Sequence, residues 1–158
     1  RTMRFNLKFL DAAALALPLL ALFVRLARPD AKPGVLALWL LAPFALLAAG
    51  VTVELVVIPP DQWLPRLVGQ NWMYCTTMIP MMAAPILAAL IAAMRLGAPQ
   101  RPTLTGALAG AASASLASLL YASHCPDDSP LFVAAWYPLA TLVCTGFGAL
   151  AGRRFLQW

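Results

Sequence analysis

The sequence predicts an all-α fold, a polytopic bundle of transmembrane helices, and three observations predict it. First, 62% of the residues are hydrophobic and only 11% are charged, less than half the charged share usual in a soluble domain. A chain of 158 residues with a mean hydropathy of +0.80 cannot hide that much apolar surface in one small core. The bilayer is the natural solvent for the excess. Second, the apolar residues fall into five runs near the ~20 residues that a helix needs to cross the hydrocarbon. Third, no stretch alternates in polarity as a half-buried strand would. Lipid also forces each segment to pair its own backbone groups, which a helix does.

The first run is residues 9–26, "FLDAAALALPLLALFVRL". It is the weakest of the five, with a charge near each end and Pro18 inside. A signal peptide is the competing reading of this basic start and apolar run, but Asp11 and Arg25 bracket it and no small-residue cleavage site follows. The second run is residues 34–57. The third is residues 73–94, where Pro80 and Pro85 are expected to kink the helix. The fourth is residues 104–122, with Gly106, Gly110, Ala114 and Ser118 recurring every four positions. The fifth is residues 131–152, with Gly148 and Gly152 at the same spacing. Such small-residue faces let helices approach closely. Packing within the chain is preferred over a contact between copies, which would make a homo-oligomer.

The joins between runs are short. "RPDAKPG" and "RLGAPQRP" are basic turns rich in Pro and Gly. "PPDQWLPRLVGQNW" is longer and carries Trp63 and Trp72, whose amphipathic rings suit the headgroup level. The last join is "HCPDDSP".

The charges sort onto two faces. One collects Arg25, Arg28, Lys32, Arg95, Arg101, Arg153 and Arg154 against Asp30 alone. The other collects Arg1, Arg4, Lys8 and Arg66 against Asp11, Glu54, Asp61, Asp127 and Asp128. Lys and Arg mark the cytoplasmic side, so the C-terminus and both basic turns are expected there. The tryptophan join and "HCPDDSP" then face outward. This places Arg1, Arg4 and Lys8 outside, against the rule, and an upstream helix would resolve the conflict. The chain starts with Arg1 and is read as a piece of a longer protein. The net charge of +5 does not point to nucleic acid, because no basic cluster is interleaved with aromatics.

Two cysteines come to the outward face from distant parts of the chain: Cys75 at the end of the third run, and Cys125 in the last join. Three readings stand open for them. One is a structural disulfide, which an oxidising periplasm favours. Another is a redox-active pair. The third is a soft-metal site, in which His124, Asp127 and Asp128 could add nitrogen and oxygen donors. The spacing of a preformed zinc site is absent. Asp127 and Asp128 also sit in turn chemistry where an Asp or Ser can cap the fifth helix. Glu54, an acid inside an apolar run, is either an interfacial anchor or a functional acid. Cys144 lies inside the fifth run, where a thiol behaves as a small hydrophobe.

No phosphate loop, zinc-protease or hydrolase motif is present, so no enzyme is expected. Transport is disfavoured because charges paired at mid-membrane are lacking, and because the sequence offers little to line a polar cavity. A thiol-redox enzyme handling a quinone would normally show a closely spaced cysteine pair, which is also lacking.

The segment "RLGAPQRPTLTGALAGAASASLASLLYASHCPDDSPLFVAAWYPLA" and the terminal "GALAGRRFLQW" resemble the bacterial negative-regulator-of-sigma-F family, whose members are polytopic inner-membrane anti-sigma factors. The resemblance covers essentially the whole chain. It implies six spans, of which this chain supplies five, and a cytoplasmic segment before the first that holds an extracytoplasmic-function sigma factor. It matches Cys75 and Cys125 to the family's periplasmic cysteine pair. That implies sensing of heavy metals or oxidants, with no constitutive cofactor and a heavy-metal ion as transient ligand. The resulting expectation places the two thiols close together at the outer surface. Their modification then changes the packing of spans three to five, and the sigma factor is released.

Overall fold

The computed structural model describes residues 3–28, 32, 34–97 and 99–156. Arg1 and Asp30 of the charge reading lie outside these residues, as does the side chain of Arg4. The described residues form helices joined by turns: α1 (Met3–Arg25), a 3₁₀ segment (Gly34–Leu40), α2 (Leu41–Val57), a 3₁₀ turn (Pro60–Gln62), α3 (Trp63–Val68), α4 (Trp72–Met94), α5 (Pro102–Ala122) and α6 (Pro130–Phe155). Five helical stretches are long and apolar enough to cross a bilayer, and each overlaps one of the five runs of the sequence, the third starting earlier, at Pro60.

The second stretch does not enter as an α-helix. Its first seven residues are wound as 3₁₀, and α2 begins two residues before Pro43. A proline has no N–H to give to the fourth residue back and clashes with that carbonyl. Starting α2 at Leu41 puts Pro43 in the first turn, where no such bond is required. Pro80 and Pro85, by contrast, are both carried inside the continuous helix α4.

Helix α5 is the centre of the bundle. It packs against α1, α4 and α6, and more than half of its length is buried. Its small residues explain how. A Cβ added to Gly106 would run into the Gly148 carbonyl, and one on Gly110 into the Cys144 carbonyl. On the α6 side, a Cβ on Gly148 would strike the Gly106 carbonyl and one on Gly152 the Pro102 carbonyl. The two helices therefore meet backbone to backbone. The four-residue pattern is spent on packing within the chain, as the sequence reading preferred.

Helix α1, the weakest of the five by sequence, is well integrated. Lys8, Ala12, Ala16, Leu19 and Phe23 are buried at the spacing of one helix face. Helix α2 is the peripheral one. Almost none of its span is buried, although Pro43 and Glu54 are.

The helices alternate in direction, so the bundle has two distinct ends. Arg25, Arg28, Arg95, Arg101, Arg153 and Arg154 gather at one, called here the basic end, and all are exposed. Lys8, Glu54, the start of α4 and the α5–α6 loop gather at the other, the cysteine end. The short helix α3 lies across that end. Trp63 donates its indole N–H to the Ile58 carbonyl at 3.1 Å. Trp136 donates to the Leu67 carbonyl at 2.8 Å and meets Trp72 in a tilted ring contact, centroids 5.3 Å apart. Gly69 ends α3 with a φ of +61°. A side chain there would be strained and would strike the ring of Phe132.

Candidate functional site

Cys75 lies in the first turn of α4, its N–H bonded to the Asn71 carbonyl at 2.8 Å. Cys125 follows α5, its N–H bonded to the Tyr121 carbonyl at 3.0 Å. The fold brings both into one buried cluster with Phe132, Val133 and Tyr137. The sulfurs thus share a site, but it is not at the surface: Cys75 is 0% and Cys125 4% exposed. Helix α6 covers them with Phe132 and Tyr137, which the sequence reading did not foresee. All three cysteines are free thiols. Cys144 belongs to the same apolar cluster but sits fourteen residues into α6, about 20 Å along the helix at 1.5 Å per residue.

The loop carrying Cys125 is pinned by charged side chains. Lys8, 2% exposed, donates to the Cys125 carbonyl at 2.7 Å and forms an ion pair with Asp128. Asp127 accepts through Oδ2 from the Asn71 backbone N–H at 3.0 Å, from the Asn71 side-chain amide at 3.0 Å and from the Gln70 N–H at 3.2 Å. It therefore fixes the turn that opens α4, the helix of Cys75. Neither aspartate caps α6, where the sequence suggested a cap. That task falls to Glu54 on α2. Pro130 has no N–H, so Leu131 offers the first free donor of α6, and Glu54 Oε2 accepts it at 3.0 Å. Ser129 donates to the same oxygen at 2.8 Å, while Arg66 meets Oε1 at 3.3 Å. A carboxylate at a helix N-terminus satisfies an orphan donor and opposes the helix dipole. Glu54 thus joins three segments of the cysteine end.

The environment of Cys125 pulls its thiol in two directions. Burial pushes the thiol up from its usual range. The Asp127 backbone N–H, the nearby Lys8 ammonium and the Tyr121 hydroxyl oppose that rise, and the Asp127 carboxylate adds to it. Burial prevails, so the thiol keeps its proton more tightly than an exposed cysteine does.

An open groove of about 510 Å³ reaches this site, lined by Asn71, Tyr74, Met78, Met82, Leu120, Tyr121, His124, Cys125 and Pro126. Cys125 forms part of its wall and Cys75 does not. His124 stands exposed among the lining residues. Among the described residues no group of three or more His, Cys, Asp or Glu side chains is placed to hold a metal ion. The arrangement offers two thiols. Thiols as a class bind soft ions as thiolates, or lose two electrons and two protons as a pair to become a disulfide.

The sequence reading missed a second polar locus. A cavity of about 300 Å³ opens between α1, α2, α5 and α6, and Asp11, Ser115, Ser118, Tyr137 and Thr141 are among its lining residues. The spacing of Asp11 as an acid inside an apolar run was its one local signal.

The family model described as "Negative regulator of sigma F" matches residues 1–158. The chain is 32% identical over 144 residues to the probable anti-sigma-F factor NrsF of Azospira oryzae, an alignment covering 85% of this chain and 63% of that protein. It is 38% identical over 90 residues to the anti-sigma-F factor NrsF of Caulobacter vibrioides, covering 57% of this chain and 42% of that one. The chain thus spans 63% or less of the length of these curated relatives. No solved structure matches it.

Proposed function

The chain belongs to the negative-regulator-of-sigma-F family, and on that premise we propose that it is the membrane module of an anti-sigma factor and carries the sensor in its Cys75–Cys125 pair. The role is regulatory. The complete protein holds an extracytoplasmic-function sigma factor at the bacterial inner membrane, through a segment that the family resemblance puts ahead of the first span. The five apolar helices cross that membrane with the basic end in the cytoplasm and the cysteine end in the periplasm, as the distribution of Lys and Arg favours. The signal is a thiophilic metal ion or an oxidant.

One observation carries this reading: two cysteines fifty residues apart in sequence share one buried cluster, and one of them lines an open groove. A soft metal ion entering the groove meets Cys125 first, displaces the thiol protons and is held by both sulfurs. An oxidant instead accepts two electrons, and both protons leave as the disulfide forms. In either case Cys75 at the head of α4 becomes tied to the α5–α6 loop. Asp127 already links these two parts, so their separation cannot change without moving helices. A ligand shifts such a packing equilibrium by its difference in affinity for the two packings. The repacking of α4 against α5 and α6 then lowers the hold on the sigma factor.

The test is co-purification of the complete protein with its sigma factor, with and without cadmium or a thiol oxidant. Wild type should release the sigma factor on either treatment. Single Cys75→Ser and Cys125→Ser variants should keep it bound, with untreated binding unchanged, and Cys144→Ser should behave as wild type. Normal release from the double Cys75→Ser, Cys125→Ser variant would return the pair to a structural role.

A further inference from the structure

We propose that the cavity between α1, α2, α5 and α6 is a binding site for a small lipophilic amine, held by Asp11, Ser118 and Tyr137. Of the four buried side-chain oxygens with no hydrogen-bond partner among the described residues, three, Asp11 Oδ1, Ser118 Oγ and the Tyr137 hydroxyl, belong to residues that line this one cavity; the fourth, Asp128 Oδ1, lies in the ion pair with Lys8. Ser118 is 3% and Tyr137 6% exposed. Buried polar groups are nearly always satisfied, so three orphans around one space point to a missing occupant. The other hydroxyls of the lining are already spent: Ser115 bonds back to the Ala111 carbonyl and Thr141 to the Tyr137 carbonyl.

The three groups also lie at a similar depth. Measured at 1.5 Å per residue, Asp11 is about 5 Å along α1 from Lys8. Ser118 is about 6 Å before the end of α5, and Tyr137 about 10 Å into α6.

Their chemistry selects the ligand class. The carboxylate makes the site a poor host for an anion. Lys8, one turn away, pairs with Asp128 and donates to the Cys125 carbonyl, while Asp11 Oδ1 has no hydrogen-bond donor among the described residues, which leaves room for a positive charge at that oxygen. A primary ammonium supplies that charge and three N–H donors for three oxygen acceptors. A hard metal ion would need about six oxygen ligands, twice what the orphans offer. Water could satisfy the three oxygens, but the space holds about ten waters at ~30 Å³ each, and most of its wall is apolar. Leu15, Phe44, Leu47 and Leu142 suit a hydrocarbon or aromatic body instead. On the loosely packed α2 the lining residue Phe44 is exposed, so an amine dissolved in an apolar phase can enter beside it.

The experiment titrates the purified protein in detergent with 2-phenylethylammonium at neutral pH, read by saturation-transfer NMR and by thermal shift. We expect saturable binding, at least tenfold tighter than that of uncharged 2-phenylethanol. Asp11→Asn, which keeps the shape, should weaken it by about tenfold or more, and Tyr137→Phe by about threefold, as loss of charge-assisted and neutral hydrogen bonds predicts. Leu15→Trp should fill the space and abolish binding without touching a polar group. Absence of saturable binding to wild type, equal binding of amine and alcohol, or binding that survives both Asp11→Asn and Leu15→Trp would each overturn the proposal. Neither metal nor sigma factor enters the assay, so its outcome stands apart from the fate of the thiol sensor.

Discussion

At the cysteine end, charged side chains close on groups from other helices: Glu54 on the start of α6, Asp127 on the start of α4, and Lys8 on the loop between α5 and α6. At the basic end, Arg25, Arg28, Arg95, Arg101, Arg153 and Arg154 are exposed, and no ion pair reaches them among the described residues. What holds the helices there is apolar contact, with Phe23, Met94, Ala109 and Leu156 in one cluster, and the glycine seam of α5 and α6. The difference teaches where a chemical event can do mechanical work. Polar ties are directional and few, so under the proposed function a new bond between sulfurs beside them would act on α4 and the α5–α6 loop. In that proposal the seam of backbone contact would carry the displacement along α5 and α6, because it has few side chains to absorb it.

The largest expected effect attacks the seam. Gly106→Leu places a branched side chain where even a Cβ would enter the Gly148 carbonyl and crowd the Gly152 backbone. The helices must separate, and overpacking of this kind costs about 3 kcal/mol or more. Chemical unfolding in detergent, followed by circular dichroism, should show that loss or a failure to fold. A variant as stable as wild type would mean that the seam is not what holds the basic half together.

Next comes the strongest tie of the cysteine end. Glu54→Ala leaves the Leu131 N–H without its acceptor, Ser129 without its partner and Arg66 without its counter-ion. Glu54 is 3% exposed, so the cost should be about 2–3 kcal/mol, most of it from the unsatisfied buried groups. Arg66 contributes little of this, because its side chain is about a third exposed and solvent screens the pair. Glu54→Gln should recover part of the loss by still accepting from Leu131. Equal stability of all three proteins in the same unfolding assay would sink the contrast between the two ends.

These two sites also mark what the sequence does and does not disclose. The five long helices were legible from apolar run length alone, to within a few residues except at the starts of α1 and α2, the latter preceded by seven residues of 3₁₀. The run of residues 131–152 becomes α6 at Pro130–Phe155, and that of 104–122 becomes α5 at Pro102–Ala122. The seam was legible too, because its four-residue spacing lies within single helices. Glu54 as the cap of α6 was not, since its partner Leu131 is 77 residues away and no local pattern records such a contact. Lys8 and Cys125 are 117 residues apart. The chemistry of the cysteine pair could be named from residue type. Its burial could not, because Phe132 and Tyr137 cover the sulfurs only once α6 has packed. The cavity at Asp11 escaped for the same reason: four helices contribute to it, and only the acid stood out along the chain.

A smaller effect concerns the proton on Cys125. In a Cys75→Ser, Cys144→Ser background, alkylation by a small maleimide should proceed through the thiolate. Burial holds this thiol above its ordinary value of 9.0, so the rate should still be climbing at pH 9 rather than levelling off below it. The same shift favours the folded state below the ordinary thiol value. That contribution fades as the pH rises through the folded-state value. A rate that levels off near pH 8 would show that Lys8 and the Asp127 N–H outweigh burial, and the thiol would be more reactive than its burial indicates.

The smallest effect belongs to the basic end, and it is the one that separates stability from orientation. Arg153 and Arg154 sit exposed in the last turn of α6, where positive charge meets the carbonyl end of the helix. Replacing both by Gln removes only that exposed interaction, so the unfolding midpoint in detergent should hold to within about 0.5 kcal/mol. The proposed topology gives the same two residues a different task, because Lys and Arg near helix ends decide which side stays in the cytoplasm. Arg95 and Arg101 share that task, so the double variant should still keep its C-terminus inside, as a reporter fused there would show. Adding Arg95→Gln and Arg101→Gln should begin to scramble the orientation while stability in detergent stays unchanged. A large loss of stability from the first pair would mean that the basic end is held by charge after all, and the two ends would then be built alike.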